Sequence, residues 1–229
     1  MSSPSSGEGK KLVFIGDSGV GKTCIISRIT KGTFEDNILS TVGASYASKT
    51  IEIPDLDKKL TFDIWDTAGQ EKYKALTRIF FQGAKMAILV YDITRKESFE
   101  NLKTCWYHDI KEHGDPDIII GIAGNKCDLY EYEDVSEKEA REFAKSIDAV
   151  FYLTSAQSNT GITELFEDLG KKYLGQNSQT VQAGAKDQGK NPGKKQEPKQ
   201  EQKQNNIKLD RNDVAKGNKE QKNTKSCCK

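Results

Sequence analysis

Gly16-Asp17-Ser18-Gly19-Val20-Gly21-Lys22-Thr23 fits the pattern G-x-x-x-x-G-K-[ST] at every constrained position. Residues of these types at this spacing do one kind of chemistry well. The glycines let backbone N–H groups turn inward around a phosphate, the Lys22 ammonium reaches phosphate oxygens, and the Thr23 hydroxyl suits a hard cation such as Mg²⁺. Asp17, Ser18, Gly19, Val20, Gly21, Lys22, Thr23 and Cys24 are therefore the candidate phosphate-binding segment of a nucleoside triphosphate site. A glycine-rich turn that binds nothing would have no use for Lys and Thr directly after its last glycine.

Three further groups stand downstream. Trp65-Asp66-Thr67-Ala68-Gly69-Gln70-Glu71 offers a carboxylate at Asp66 that can hold Mg²⁺ through water, an N–H at Gly69 for a γ-phosphate, and an amide at Gln70 that can orient an attacking water. Asn125-Lys126-Cys127-Asp128 supplies an aliphatic stem to lie over a purine and a terminal carboxylate. That carboxylate accepts from two N–H groups of guanine and repels the acceptor N1 of adenine, which selects GTP over ATP. Thr154-Ser155-Ala156 can add a backbone N–H to the guanine oxygen. Each group alone is common in unrelated chains, and their weight comes from standing in this order behind the phosphate loop.

Elements of the right type flank these groups. Lys11 to Ile15 is a short apolar run before the loop, and Cys24 to Ile29 reads as the start of a helix, so its positive dipole end faces the phosphates. Ser45 to Ile53 and Leu60 to Trp65 read as a hairpin around Pro54 to Lys59. Met86 to Tyr91, Ile118 to Ala123 and Val150 to Leu153 are continuous apolar runs of the kind strands show when both faces are covered. Helical patterns over Phe99 to Lys111, after the capping box Ser136-Glu137-Lys138-Glu139, and over Ile162 to Leu174 alternate with them. That alternation predicts an α/β fold with a mostly parallel sheet, whose ligands sit beyond the carboxyl ends of the strands.

Composition divides the chain of 229 residues near residue 175. Residues 1–9 read as a flexible N-terminus, residues 10–174 as one globular domain, and residues 175–229 as a disordered tail without an aromatic side chain. The tail carries 13 basic against 6 acidic side chains, or +7; the whole-chain charge of +1 therefore leaves about −6 on residues 1–174. Its lysines are scattered among acids and glutamines, so nucleic acid is not an expected partner. No apolar run approaches a membrane span and no signal-peptide core opens the chain, which points to a cytosolic protein. Cys24, Cys105 and Cys127 read as packing thiols, while Cys227 and Cys228 are paired near the end.

Together, GDSGVGKT, a lone Thr41, WDTAGQE, NKCD and TSA resemble the Ras-superfamily small GTPases over residues 11–174, and the Rab branch in particular. Thr41-Val42-Gly43-Ala44-Ser45-Tyr46, Leu60 to Trp65, Lys72 to Leu76, Phe80 to Ala84 and Leu89 to Thr94 carry that second resemblance, and Val42-Gly43-Ala44 leans toward endocytic Rabs. It implies a P-loop small G domain whose six-stranded sheet has one antiparallel edge strand and helices on both faces. It further implies that Thr41 binds Mg²⁺ in the triphosphate state, that Phe34 packs against guanine, and that Tyr46, Trp65 and Phe80 form an effector-facing cluster; ordinary core packing is the other reading of those aromatics.

The same resemblance implies a GTP/GDP switch in vesicle trafficking with slow intrinsic hydrolysis. Its expected partners are an exchange factor, a GTPase-activating protein, effectors, a GDP-dissociation inhibitor and prenylation escort machinery. No arginine stands out as one supplied in cis. Cys227-Cys228-Lys229 resembles the double-cysteine ending used for geranylgeranylation, and Ser226-Cys227-Cys228-Lys229 does not fit C-a-a-X. Two lipids anchor stably where one does not, which places the protein on the cytoplasmic face of intracellular membranes, endosomal ones included, in exchange with the cytosol. Two departures stand out. Gln157 occupies a position where the family usually has Lys, and Tyr46, Phe80 and Phe81 replace the more usual Phe, Tyr and Tyr. A nucleotide-binding scaffold that does not cycle and a phosphotransferase acting on a small acceptor remain the alternatives.

Overall fold

The computed structural model describes residues 9–34, 41, 43–67 and 79–184, with side chains as far as residue 176. Six strands form one sheet in the order β2-β3-β1-β4-β5-β6. They are β1 (Lys10–Ile15), β2 (Ala44–Ile53), β3 (Lys58–Thr67), β4 (Met86–Asp92), β5 (Ile119–Asn125) and β6 (Val150–Thr154). All neighbours pair in parallel except β2 and β3, which form the expected hairpin with Ala44 opposite Thr67 and Ile53 opposite Lys58. The turn between them is shorter than expected. Pro54–Leu56 winds one 3₁₀ turn, Asp57 takes the left-handed conformation, and β3 is already paired at Lys58.

The helices are α1 (Lys22–Lys31), α2 (Lys96–Asn101), α3 (Tyr107–His113), α4 (Glu137–Ser146) and α5 (Ile162–Gly184). The strands' continuous apolar runs are explained by helices on both faces. Along β1 and β4, Leu12, Phe14, Met86, Ile88 and Val90 join Ile25, Leu165, Phe166 and Leu169 in one buried layer. The residues between them, Val13, Ile15, Ala87, Leu89 and Tyr91, join Phe99, Trp106, Ile110, Ala140 and Phe151 in the other. Successive side chains in a strand point to opposite faces, so a central strand with no polar position serves two cores.

Two helices differ from the sequence expectation. The segment expected as one helix over Phe99 to Lys111 is α2 and α3 joined by a π turn at Leu102–Trp106, where Tyr107 N–H donates to the Leu102 carbonyl five residues back. The last helix continues past Leu174 to Gly184. At the start of α4, Ser136 Oγ accepts from Glu139 N–H as the capping box requires. The Glu139 carboxylate does not complete the box; Lys96 holds it at 2.5 Å.

Candidate nucleotide site

The loop between β1 and α1 lies at the carboxyl end of the sheet, as do Asp66 at the end of β3 and Asn125 at the end of β5. Its backbone requires glycine where the chain turns. Gly16 has φ +146°, and a Cβ there would stand 2.2 Å from the Val90 carbonyl oxygen. Gly21 has φ +96°, and a Cβ there would stand 2.3 Å from Asn125 Nδ2. No side chain caps the N-terminus of α1 and no acid stands in its first turn, which leaves its positive dipole end to the loop.

Lys22, 5% exposed, donates to the carbonyls of Gly16 at 2.7 Å and Asp17 at 2.8 Å. Burial pushes its ammonium down to about 8, against the pull of the Asp66 and Asp17 carboxylates. Thr23 Oγ1 donates to Asp66 Oδ2 at 2.7 Å and lies 2.8 Å from Thr41 Oγ1. Thr41 reaches the same carboxylate oxygen at 3.4 Å. Asp66 is buried, which raises its pKa although Thr23, Lys22 and Thr41 all act to lower it. Its Oδ1 is buried with no hydrogen-bond partner among the described residues.

An orphaned buried carboxylate oxygen beside two converging hydroxyls fits a hard divalent cation and its water shell. Thr23, Thr41 and Asp66 are thus fit to hold Mg²⁺. Gly69 and Gln70 lie outside the described residues, as do Cys227 and Cys228.

The base-side groups meet from three strands. Ser155 Oγ donates to Asp128 Oδ1 at 2.5 Å and accepts from Ser158 N–H, which fixes the carboxylate's orientation. Lys126 takes a left-handed backbone and pairs with Asp92 at 2.5 Å, so β4 holds the lysine whose stem would lie along the purine. Asn125 turns back to the phosphate loop, donating to the Val20 carbonyl at 2.8 Å while accepting from Thr154 at 3.2 Å. Its part is to tie two loops together. Phe34 is half-buried against the layer containing α1, and Cys24 packs there too. Ala156 is buried, while Gln157 is exposed, and their carbonyls accept from Arg28 at 2.7 and 3.0 Å.

Tyr46, Trp65 and Phe80 do come together. The Tyr46 and Trp65 rings are 5.5 Å apart, Trp65 and Phe80 5.4 Å, and Tyr46 is 57% exposed. Sequence reasoning missed Arg28, Asp92, Arg95, Asn101 and Trp106, which hold the loops from behind. Arg95 donates to the Ser18 carbonyl at 2.9 Å, while Asn101 and Trp106 both donate to Asp17. No local motif marks them, because each acts on a segment 77 to 129 residues away for Arg95, Asn101, Trp106 and Arg28, and 34 away for Asp92.

A mostly parallel sheet with a glycine-rich phosphate loop, a buried lysine, a Thr-Thr-Asp cluster fit for a cation and a carboxylate held by Ser155 defines a P-loop nucleotide-binding domain. The profile of the Ras family matches residues 11–175, and the chain belongs to that family as a small GTPase of Rab type. It is similar to the Ras-related protein Rab-22A of Mus musculus, 41% identical over 76% of this chain and 88% of that one. It is 43% identical to Rab-31 of Homo sapiens over 71% and 82%, and 39% identical to Rab-8A of Gallus gallus over 77% and 87%.

Proposed function

We propose that this GTPase is a membrane-trafficking switch whose output is a conformation rather than a product. The observation that carries the reading is the convergence of Lys22, Thr23, Thr41 and Asp66 at the carboxyl end of the sheet, beside an Asp128 carboxylate held by Ser155. Thr41 lies outside the phosphate loop, 18 residues past Thr23, so a group that bound Thr23, Asp66 and a γ-phosphate together would hold its segment only in the triphosphate state. Lys22 would bind β and γ oxygens, the backbone from Asp17 to Cys24 would cradle them, and Gly69 would donate to the γ-phosphate. A bound Mg²⁺ would neutralise phosphate charge there. Gln70 would position the attacking water, with Asp128, Lys126, Phe34, Ser155 and Ala156 selecting and holding guanine.

Effectors would read the ordered segments through Tyr46, Trp65 and Phe80. An exchange factor, a GTPase-activating protein, a GDP-dissociation inhibitor and the prenylation escort would be its other partners. Lipids on Cys227 and Cys228 would hold it to the cytoplasmic face of intracellular membranes. Endosomes would be among them, on the resemblance of Val42-Gly43-Ala44 to the endocytic Rabs. No helix among the described residues is long and apolar enough to cross a membrane.

The test is binding and single-turnover cleavage of GTP and ATP by the full chain with Mg²⁺. Tight guanine-selective binding with slow cleavage is expected, and Gln70→Leu should abolish stimulation by an activating protein while leaving affinity near normal. Equal affinity for ATP would overturn the base assignment, and unaltered stimulated turnover in the variant would overturn the role of Gln70.

A further inference from the structure

We propose that the π turn at Leu102–Trp106 is a clamp on the phosphate loop, with Asn101 and Trp106 as positioning residues that set how long nucleotide stays bound. The inference rests on reading the loop as a GTP site. Both oxygens of the Asp17 side chain are held by this one segment: Trp106 Nε1–H donates to Oδ1 at 2.7 Å and Asn101 Nδ2–H to Oδ2 at 2.8 Å. In a regular α-helix, residues five apart point about 140° away from each other. The turn closed by Tyr107 N–H on the Leu102 carbonyl stacks them, so two donors reach one carboxylate.

The arrangement has a physical purpose. Asp17 puts a negative charge into a loop built for a polyphosphate, and two donors hold and disperse that charge. The same residue's carbonyl, with that of Gly16, holds the Lys22 ammonium. Trp106 is 3% exposed and packs in the second buried layer, so its indole transmits the rigidity of the core to the loop. Arg95, just before α2, fixes the next residue by donating to the Ser18 carbonyl. Loop and helix therefore move as one body.

The experiment loads full-length protein with fluorescently labelled GDP and follows its release into excess unlabelled GDP. Asn101→Ala and Trp106→Phe should each speed release roughly tenfold, the expected effect of losing a hydrogen bond to a charged group. In an Asp17→Ala background, Asn101→Ala should change the rate less than about twofold, because the partner it acts through is gone. A merely structural residue would accelerate release equally in both backgrounds, and that result overturns the proposal. So does release by Asn101→Ala at the wild-type rate, which decides the matter even if Trp106→Phe fails to fold. A wild-type chain that holds no GDP overturns the functional reading itself and the clamp with it.

Discussion

Gly16 shows how a single residue type becomes obligatory. The loop leaves β1 beside β4 with Ile15 opposite Leu89, and at Gly16 the backbone passes so near the Val90 carbonyl that a Cβ would stand 2.2 Å from its oxygen. Backbone cannot move aside as a side-chain tip can. Gly16→Ala should therefore cost about 3 kcal/mol or more in urea unfolding, as strain at a special φ and a core clash combine. Gly21→Ala meets the Asn125 amide, a side chain that can turn aside only by giving up its bonds to Val20 and Thr154, so it should unfold more easily than wild type by roughly 1–2 kcal/mol while losing most nucleotide affinity. An order of severity reversed between the two would show that the loop, rather than the strand packing, limits stability. If Asp128 receives guanine as proposed, Asp128→Asn swaps an acceptor for a donor where the base would present two N–H groups, so preference should move from GTP toward XTP in competition binding.

The elements carry these residues to one another, and the pair Asp92 and Lys126 shows how. Asp92 ends β4 and Lys126 follows β5, and Ile93 N–H donating to the Asn125 carbonyl continues the pairing beyond the strands. Burial works to raise the Asp92 pKa, but Lys126 and the Thr94 hydroxyl and N–H outweigh it and hold the carboxyl below its ordinary value. A carboxylate depressed in the folded state adds stability that is present above its unfolded pKa of about 3.9 and lost as pH falls through the folded value. Asp92→Asn should thus cost about 1–2 kcal/mol at pH 7, the lysine being one-third exposed, and the gap from wild type should close as urea titrations are taken below pH 4. A gap that stays constant with pH would assign the loss to packing.

The same elements separate what sequence could and could not reveal. Continuous apolar runs disclosed the buried strands, because a covered sheet needs nothing but apolar side chains, and Ser136 disclosed a helix start, because capping is local. The π turn gave no signal: Leu102, Lys103, Thr104 and Cys105 suit a regular helix as well. The bonds it allows, from Asn101 and Trp106 to Asp17, reach across 84 and 89 residues, where no local pattern marks them.

At the scale of the whole molecule, charge would share the work of attachment with the lipids proposed on Cys227 and Cys228. The first 174 residues carry about −6 and the last 55 about +7, so an anionic bilayer would repel the domain and weakly attract the tail. Scattered lysines contribute too little to anchor by themselves, and a single lipid chain gives only marginal, reversible attachment. On this reading both Cys227 and Cys228 are needed. A change of either cysteine to serine should leave a protein that partitions in part and washes off membranes at high salt, where the tail's attraction is screened. The double change should move essentially all of it to the cytosolic fraction, while GTP affinity and the unfolding midpoint of the domain stay at wild-type values. Membrane fractionation at low and high salt reads all three proteins. If the double variant remained with membranes, the anchor would have to lie in the domain or in a bound partner, and the tail would be a spacer alone. If each single variant bound as firmly as wild type at high salt, one lipid would suffice and the paired cysteines would need another explanation.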